Sequence, residues 1–210
     1  SSNILNISSD LKKKKIIFKK IDISNFKKTL KCIYNFKPDV ILHLAAESHV
    51  DRSIDNNYPF IKSNILGTHS ILESARLYFN DLEKKKKKLF RFIHVSTDEV
   101  YGESMISVDE KHKTEHSILC PTNPYAATKA GAELIAQSYN HSFNIPIIIT
   151  RGNNVYGPNQ YPEKLIPKFI KLLKEDKKVT IQGDGSCVRA FLHAYDTATA
   201  FECILEKGKI

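Results

Sequence analysis

The chain has 210 residues, 41% apolar and 26% charged, which is enough for one sizeable core and excludes a disordered chain. No stretch reaches the ~20 continuous apolar residues of a membrane span, and the first residues show no apolar run ending in a small-residue cleavage site, so the reading is a soluble, cytoplasmic protein without a membrane partner. The net charge of +9 rests largely on two lysine runs, Lys12 to Lys15 and Lys84 to Lys88. Neither interleaves with aromatics that could stack on bases, which favours solvated loops over a nucleic-acid partner.

In chain order, Lys15 to Lys20 surrounds an Ile16-Ile17-Phe18 run that reads as a strand, and Phe26, Leu30, Ile33 and Tyr34 then recur at helical spacing. Val40 to Leu44 is a second strand, followed by a long helix from about Tyr58 with Pro59 in its first turn. Phe90 to Val95 is a third strand, Pro124 opens a helix to about Phe143, and Ile145 to Thr150 is a fourth strand. A helix near Glu163 to Leu173, a short strand at Val179 to Ile181 and a helix from Asp196 complete the pattern. Alternating strands and helices imply an α/β fold with a doubly wound parallel sheet, which binds ligands at the carboxyl ends of its strands. The four cysteines, Cys32, Cys120, Cys187 and Cys203, lack metal-site spacing, so reduced packed thiols are expected and no metal site.

The sharpest local pattern is Tyr125-Ala126-Ala127-Thr128-Lys129, a Y-x-x-x-K at the start of a helix. Four-residue spacing puts phenol and ammonium on one face, and a neighbouring cation favours the phenolate of a side chain that is otherwise a poor base at neutral pH. Alone the pattern is weak. Upstream, the strand ending Val95-Ser96-Thr97 runs into Asp98-Glu99-Val100-Tyr101-Gly102, placing a hydroxyl and two adjacent carboxylates at a strand's carboxyl end. Ideal alternation would send Asp98 to the opposite side from Thr97 and Glu99, so both acids can serve one pocket only if the chain turns there.

Leu44-Ala45-Ala46-Glu47-Ser48-His49-Val50-Asp51, the Ser96 to Gly102 run, Pro121 to Lys129, Asn153 to Pro158 and Pro162 to Pro167 together resemble the nucleoside-diphosphate-glucose 4,6-dehydratases, in unbroken order from about Ile16 to Gly208. The resemblance implies a Rossmann-type NAD-binding domain over residues 1–172 and, over 173–210, the start of a smaller substrate-binding domain. The first βαβ unit, with the glycine-rich turn that holds a pyrophosphate, is missing from this sequence, which reads as trimmed at its start.

Carried over by position, Asp22 and Ile23 would contact the adenine of NAD. Leu44, Ala45, Ala46, Glu47 and Ser48, with Ser63, would line its ribose and nicotinamide, and Ser48 would also approach the sugar. Tyr125 resembles the base for the sugar 4-hydroxyl, Lys129 its helper and ribose anchor, and Thr97 a hydrogen-bond partner of O4. Asp98 resembles the general acid and Glu99 the general base of dehydration. Asn154, Lys164, Leu165, Thr180, Ile181, Gln182 and Arg189 would hold the nucleoside diphosphate of dTDP-glucose or UDP-glucose. Ala190 and His193 depart from the family's usual residues beside that arginine, and residues 121–169 are closer to the UDP-glucose enzymes. The resemblance also implies a homodimer through the helices Tyr58 to Phe79 and Tyr125 to Phe143.

The reaction makes chemical sense of these residues. The C5 proton of glucose becomes acidic only after C4 is a ketone, so oxidation precedes elimination, and elimination needs two proton-transfer groups beyond Tyr125. A nucleotide-sugar 4-epimerase or decarboxylase of the same fold needs no such pair and usually has small hydroxyl residues there. A catalytically silent dinucleotide-binding module would not need Tyr125, Lys129, Thr97, Asp98 and Glu99 together.

Overall fold

The computed structural model describes residues 4–103, 113–181, 183–185 and 188–209, which belong to two compact units. One comprises Ile21–Gly152 with Cys203–Ile210, the other Ser1–Lys20 with Asn153–Glu202.

The first unit is built on a sheet in which β1 (Val40–His43), β2 (Arg91–Thr97) and β3 (Ile147–Gly152) are parallel neighbours in that order, with Ile41 beside Phe92 and Phe92 beside Ile147. The crossovers are helical. Before β1 lies α2 (Phe26–Phe36), begun by the Asn25 side chain accepting the Lys28 N–H at 3.1 Å; α1 (Ser8–Lys12) belongs to the other unit. Between β1 and β2 come α3 (Val50–Asp55), α4 (Tyr58–Phe60), a π-helical stretch Ile61–Leu66, α5 (Gly67–Asp81) and α6 (Lys84–Leu89). A 3₁₀ turn, Asp98–Tyr101, follows β2, and α7 (Pro124–Phe143) joins it to β3. The core under the sheet is formed by Ile33, Ile41, Leu72, Phe92, Ala136 and Ile147 among others; each large apolar side chain buried there contributes roughly 1.5–3 kcal/mol.

α7 approaches the π-helical stretch so closely that a Cβ at Gly131 would lie 2.9 Å from Ile65 Cδ1, so the glycine sets that spacing. The start of α7 is fully capped. Pro124 has no N–H, Tyr125 N–H goes to Ser53 Oγ at 3.1 Å, Ala126 N–H to Asn123 Oδ1 at 2.8 Å and Ala127 N–H to Asn123 O at 2.9 Å.

Three expectations fail. Ile16-Ile17-Phe18 is not a strand: it finds no partner among the described residues, and a strand without a ladder has nothing to satisfy its backbone groups. The lysine run 84–88 is helical rather than a loop, because lysine is a good helix former and can keep its charge in water. There Lys87 Nζ reaches the Asn80 carbonyl at 2.9 Å and lies 5.4 Å from the Phe79 ring centroid. Val179 to Ile181 is irregular chain with Ile181 68% exposed, so it buries no face that would hold a strand.

In the other unit, β4 (Asn154–Tyr156) pairs in parallel with β5 (Phe191–His193), Asn154 beside Phe191. Around them run α8 (Leu165–Lys174) and the first nine residues of α9 (Ala194–Lys207), which finishes in the first unit.

Candidate active site

β2 delivers the site. Its residues are buried almost throughout, and at its carboxyl end Thr97 accepts the Glu99 N–H at 3.3 Å, which starts the 3₁₀ turn. The turn is the departure from strand geometry that two convergent carboxylates require. Asp98 accepts a hydrogen bond from the Thr97 hydroxyl at 3.1 Å, and Glu99 accepts one from Asn123 Nδ2 at 3.3 Å. Gly102 closes the turn at φ 89, and a Cβ there would meet the Cys120 carbonyl oxygen at 2.4 Å.

Tyr125, in the first turn of α7, is 8% exposed and packs edge-on against Phe60 with ring centroids 6.5 Å apart. Burial pushes its phenol well above the usual range, the Glu99 and Asp98 charges push the same way, and a hydrogen bond with Thr97 opposes them. The two acids and the phenol therefore share one corner. Lys129, 5% exposed, donates to the Val95 carbonyl at 2.6 Å, and desolvation lowers it to about 8, partly opposed by Glu133.

The loop after β1 is tied down by Asn64 from the π-helical stretch. Its side chain accepts the Glu47 N–H at 2.9 Å and donates to the Glu47 carbonyl at 3.0 Å and to Thr128 Oγ1 at 2.9 Å; Thr128 in turn donates to the Tyr125 carbonyl at 2.8 Å. The segment Leu44–Ser48 and α7 are thus joined through one buried amide. Leu44, Ala45, Glu47 and Ser48 are exposed, and Ala46 and Ser63 half-buried. Asp22 holds the Ser24 N–H and hydroxyl at 3.0 and 2.8 Å and pairs with Lys62 at 3.3 Å; the Ser24 hydrogen bonds depress its carboxyl. Ile23 beside it is half-buried. Hydrogen-bonding groups of Tyr125 and Lys129 near an exposed, largely apolar loop at strand ends have the chemistry that the ribose and ring of a dinucleotide require.

Sequence reasoning passed over several residues that build this corner. Asn64 stands beside the Ser63 named from the sequence and Ser53 lies two residues past the Leu44 to Asp51 run, but neither was itself singled out. Glu133, wholly buried on α7, pairs with Arg151 of β3, whose guanidinium also donates to the Tyr101 hydroxyl at 2.6 Å and the Glu115 carbonyl at 2.8 Å. His43 and His94 lie side by side beneath, ring centroids 5.4 Å apart. His43 meets Thr68 Oγ1 at 2.9 Å, while His94 is wholly buried. A glutamate four residues beyond Lys129 is the one signal that could have been followed, since it repeats the same helix face.

The residues expected to hold the nucleoside diphosphate lie in the other unit. Asn154 is on β4, Lys164 and Leu165 start α8, Thr180 and Ile181 are in the irregular stretch, and Arg189 precedes β5, exposed, with its guanidinium on the Val188 carbonyl at 2.8 Å. Gln182 lies outside the described residues.

A sequence profile described as GDP-mannose 4,6 dehydratase matches residues 1–210. The chain is 46% identical over 212 residues to a trifunctional UDP-glucose 4,6-dehydratase, 3,5-epimerase and reductase of Arabidopsis thaliana, covering 100% of this chain and 30% of that protein. It is 46% identical over 216 residues to a dTDP-D-glucose 4,6-dehydratase of Dictyostelium discoideum, covering 100% of this chain and 48% of that protein. A crystal structure of a dTDP-glucose 4,6-dehydratase double mutant from Streptomyces venezuelae with NAD bound superposes with a TM-score of 0.88 at 35% identity, covering 99% of this chain and 60% of that one. A UDP-glucuronic acid 4-epimerase from Bacillus cereus gives 0.84 at 32%, covering 98% and 60%. The chain thus spans about half or less of these curated relatives. With a profile match over its whole length and a parallel α/β fold that carries the paired acids at the end of β2 and the tyrosine and lysine on α7, the chain belongs to the GDP-mannose 4,6 dehydratase family.

Proposed function

We propose that the protein is a nucleotide-sugar 4,6-dehydratase acting on UDP-glucose or dTDP-glucose with NAD, yielding the 4-keto-6-deoxy sugar. The observation that carries this reading is the turn Asp98–Tyr101, which sets two adjacent carboxylates beside Thr97 and Asn123, near enough to the buried Tyr125 for their charges to raise its phenol. Elimination across C5 and C6 needs a base and an acid in addition to the group that deprotonates O4, and this corner has all three.

Bound NAD supplies the acceptor for hydride from C4 and the source for its return to C6. The chain's own residues do the rest. Tyr125 takes the O4 proton, with Thr97 holding O4; Glu99 removes the C5 proton and later gives it back; Asp98 protonates the departing C6 hydroxyl. Lys129 and Tyr125 grip the ribose, Leu44, Ala45, Ala46, Glu47, Ser48 and Ser63 line the cofactor, and Asp22 and Ile23 meet its adenine. Residues 1–172 would carry the cofactor and 173–210 would contribute to the substrate end. Asn154, Lys164, Leu165, Thr180, Ile181, Gln182 and Arg189 are assigned to the nucleoside diphosphate, Arg189 being suited to pair a phosphate.

Exposed apolar residues on the helices expected to pair, Tyr58, Leu66, Leu134 and Phe143, support a homodimer. Free Cys32, Cys120 and Cys203 fit a reducing, cytoplasmic location. Among the described residues no helix is long and apolar enough to cross a membrane.

The test is incubation of the full-length protein with UDP-glucose and dTDP-glucose in turn, followed by product mass. Loss of one water is expected, with UDP-glucose preferred in competition. A product of unchanged mass would favour the epimerase reading, which the similarity to the UDP-glucuronic acid epimerase makes the natural rival.

A further inference from the structure

The acids and the base of the proposed reaction sit on different elements. Asp98 and Glu99 lie on the 3₁₀ turn after β2, Tyr125 and Lys129 on α7. A single turn past the end of a strand has no ladder to hold it, yet the acids must keep their place relative to the phenol for the steps to follow one another. Behind the corner, Arg151 of β3 reaches both elements at once.

Its Nε donates to both carboxylate oxygens of Glu133 at 3.1 Å, and its Nη2 pairs with Glu133 Oε1. Its Nη1 donates to the Tyr101 hydroxyl at 2.6 Å and to the Glu115 carbonyl at 2.8 Å, and the guanidinium carbon lies 4.9 Å from the Tyr101 ring centroid. Glu133 is on α7 about two helical turns beyond Tyr125. Tyr101 is the last residue of the turn that carries both acids. A planar fork of donors fixes direction as well as distance, so α7, β3 and the turn are tied in one orientation.

We infer that Glu133, Arg151 and Tyr101 form a brace of positioning residues that holds Asp98 and Glu99 in place for the elimination step, acting through the turn rather than on the sugar. The inference rests on the dehydratase reading. Stability alone gives little reason for such a pair. Glu133 is wholly buried and the Arg151 side chain 13% exposed, and taking two charges out of water costs about as much as their attraction returns. Apolar residues could fill the same space, but they could not hold the Tyr101 hydroxyl. Gln137 Nε2 donates to Glu133 at 3.2 Å, so the carboxylate is also fixed from its own helix. The start of the turn is held by Thr97 on the Glu99 N–H and by Asn123 on the Glu99 carboxylate, and its middle by the Cys120 N–H on the Val100 carbonyl at 2.9 Å. The brace holds its far end.

The experiment separates oxidation from elimination in the full-length, NAD-loaded protein, mixed with UDP-glucose and, separately, with dTDP-glucose. Tyr101→Phe removes the acceptor but keeps the ring against the guanidinium and both members of the ion pair. Cofactor reduction should proceed at the parent's rate, because Tyr125 and Lys129 are undisturbed, while loss of water slows by roughly 10-fold. Reduced cofactor should then accumulate, and solvent deuterium should enter C5 more slowly in proportion. Arg151→Lys, which keeps a charge beside Glu133 without the fork, should show the same split. Urea unfolding of both variants distinguishes a brace from a contact that serves only the fold. A lowered midpoint with both steps unchanged or slowed equally overturns the inference, as does a Tyr101→Phe protein indistinguishable from the parent. A parent that forms no product short of one water instead removes the dehydratase reading, and the inference with it.

Discussion

The corner built by β2 and α7 and the region around β4 and β5 differ in how far their hydrogen bonds are already closed. In the first, Thr97, Tyr125 and Lys129 are each no more than 8% exposed, and their partners are the Asp98 carboxylate and Glu99 N–H for Thr97, the Ser53 hydroxyl for the Tyr125 N–H and the Val95 carbonyl for Lys129. In the second, Leu165, Ile181 and Arg189 are exposed, and no element lying wholly in that unit has a buried residue. A preorganised corner can stabilise charge as it develops, while an open, mostly exposed surface can only bind and be ordered by what it binds. Damage to the first should therefore appear in rate, and damage to the second in affinity.

Tyr125→Phe is the strongest test of that division. Without the phenol no group takes the O4 proton, and oxidation at C4 should fall by about 10⁴-fold while nucleotide-sugar affinity, measured by calorimetry, stays near the parent's. Cofactor reduction at the parent's rate on mixing with substrate would place the base elsewhere. Glu99→Gln should act later, slowing elimination by something like 10²- to 10⁴-fold and stopping solvent deuterium from entering C5. If deuterium still enters, the C5 base is another residue.

The corner's rigidity can be attacked from behind. Glu133→Gln leaves Arg151 half-paired beneath the turn and should cost about 3 kcal/mol of stability in denaturant unfolding, as breaking one side of a buried pair does. A loss under about 1 kcal/mol would show that the pair is solvated and that the turn does not depend on it. At the open region, Arg189→Ala should raise KM by roughly 10- to 100-fold with kcat little changed, the size of one charge-assisted hydrogen bond. A fall in kcat with unchanged KM would contradict the contrast between the two regions.

The legibility of the sequence follows the same division. β2, α7 and the Tyr125–Lys129 pair could be read from periodicity and spacing, because their geometry is local: Pro124 at the first helical position and Phe143 before a left-handed Asn144 mark α7 at both ends. The Ile16 to Phe18 run carries the same local signal yet makes no strand, since a ladder depends on a neighbour that no local pattern encodes. Ser53 and Asn64 were invisible for a related reason. Their partners lie 72 and 64 residues away, at Tyr125 and Thr128, and an isolated serine or asparagine in a helix gives no hint of such a contact. The proximity of Asp98 and Glu99 to one phenol depended on a turn that alternation argued against, and only the 3₁₀ geometry supplies it.

The smallest expected effect concerns the two histidines beneath the corner, and its sign follows from burial. Desolvation, aided by the Lys129 charge, lowers His43 to about 4; the same causes with His43 added lower His94 to about 2, against an ordinary value of 6.5. Both rings are therefore neutral in the folded protein over the range in which the unfolded chain would protonate them. The unfolded state binds more protons below about pH 6.5, so stability falls as pH drops from there toward 4, by up to about 1.4 kcal/mol per pH unit for each ring. His94→Gln removes one titrating ring while keeping a polar side chain of similar length. Its absolute stability can move in either direction, but the slope of stability against pH between 6 and 4.5, read from urea unfolding at a series of pH values, should decrease by about 1.4 kcal/mol per unit. Parallel acid limbs for the parent and the variant would mean that His94 protonates readily in the folded state, which its burial against the sheet does not allow.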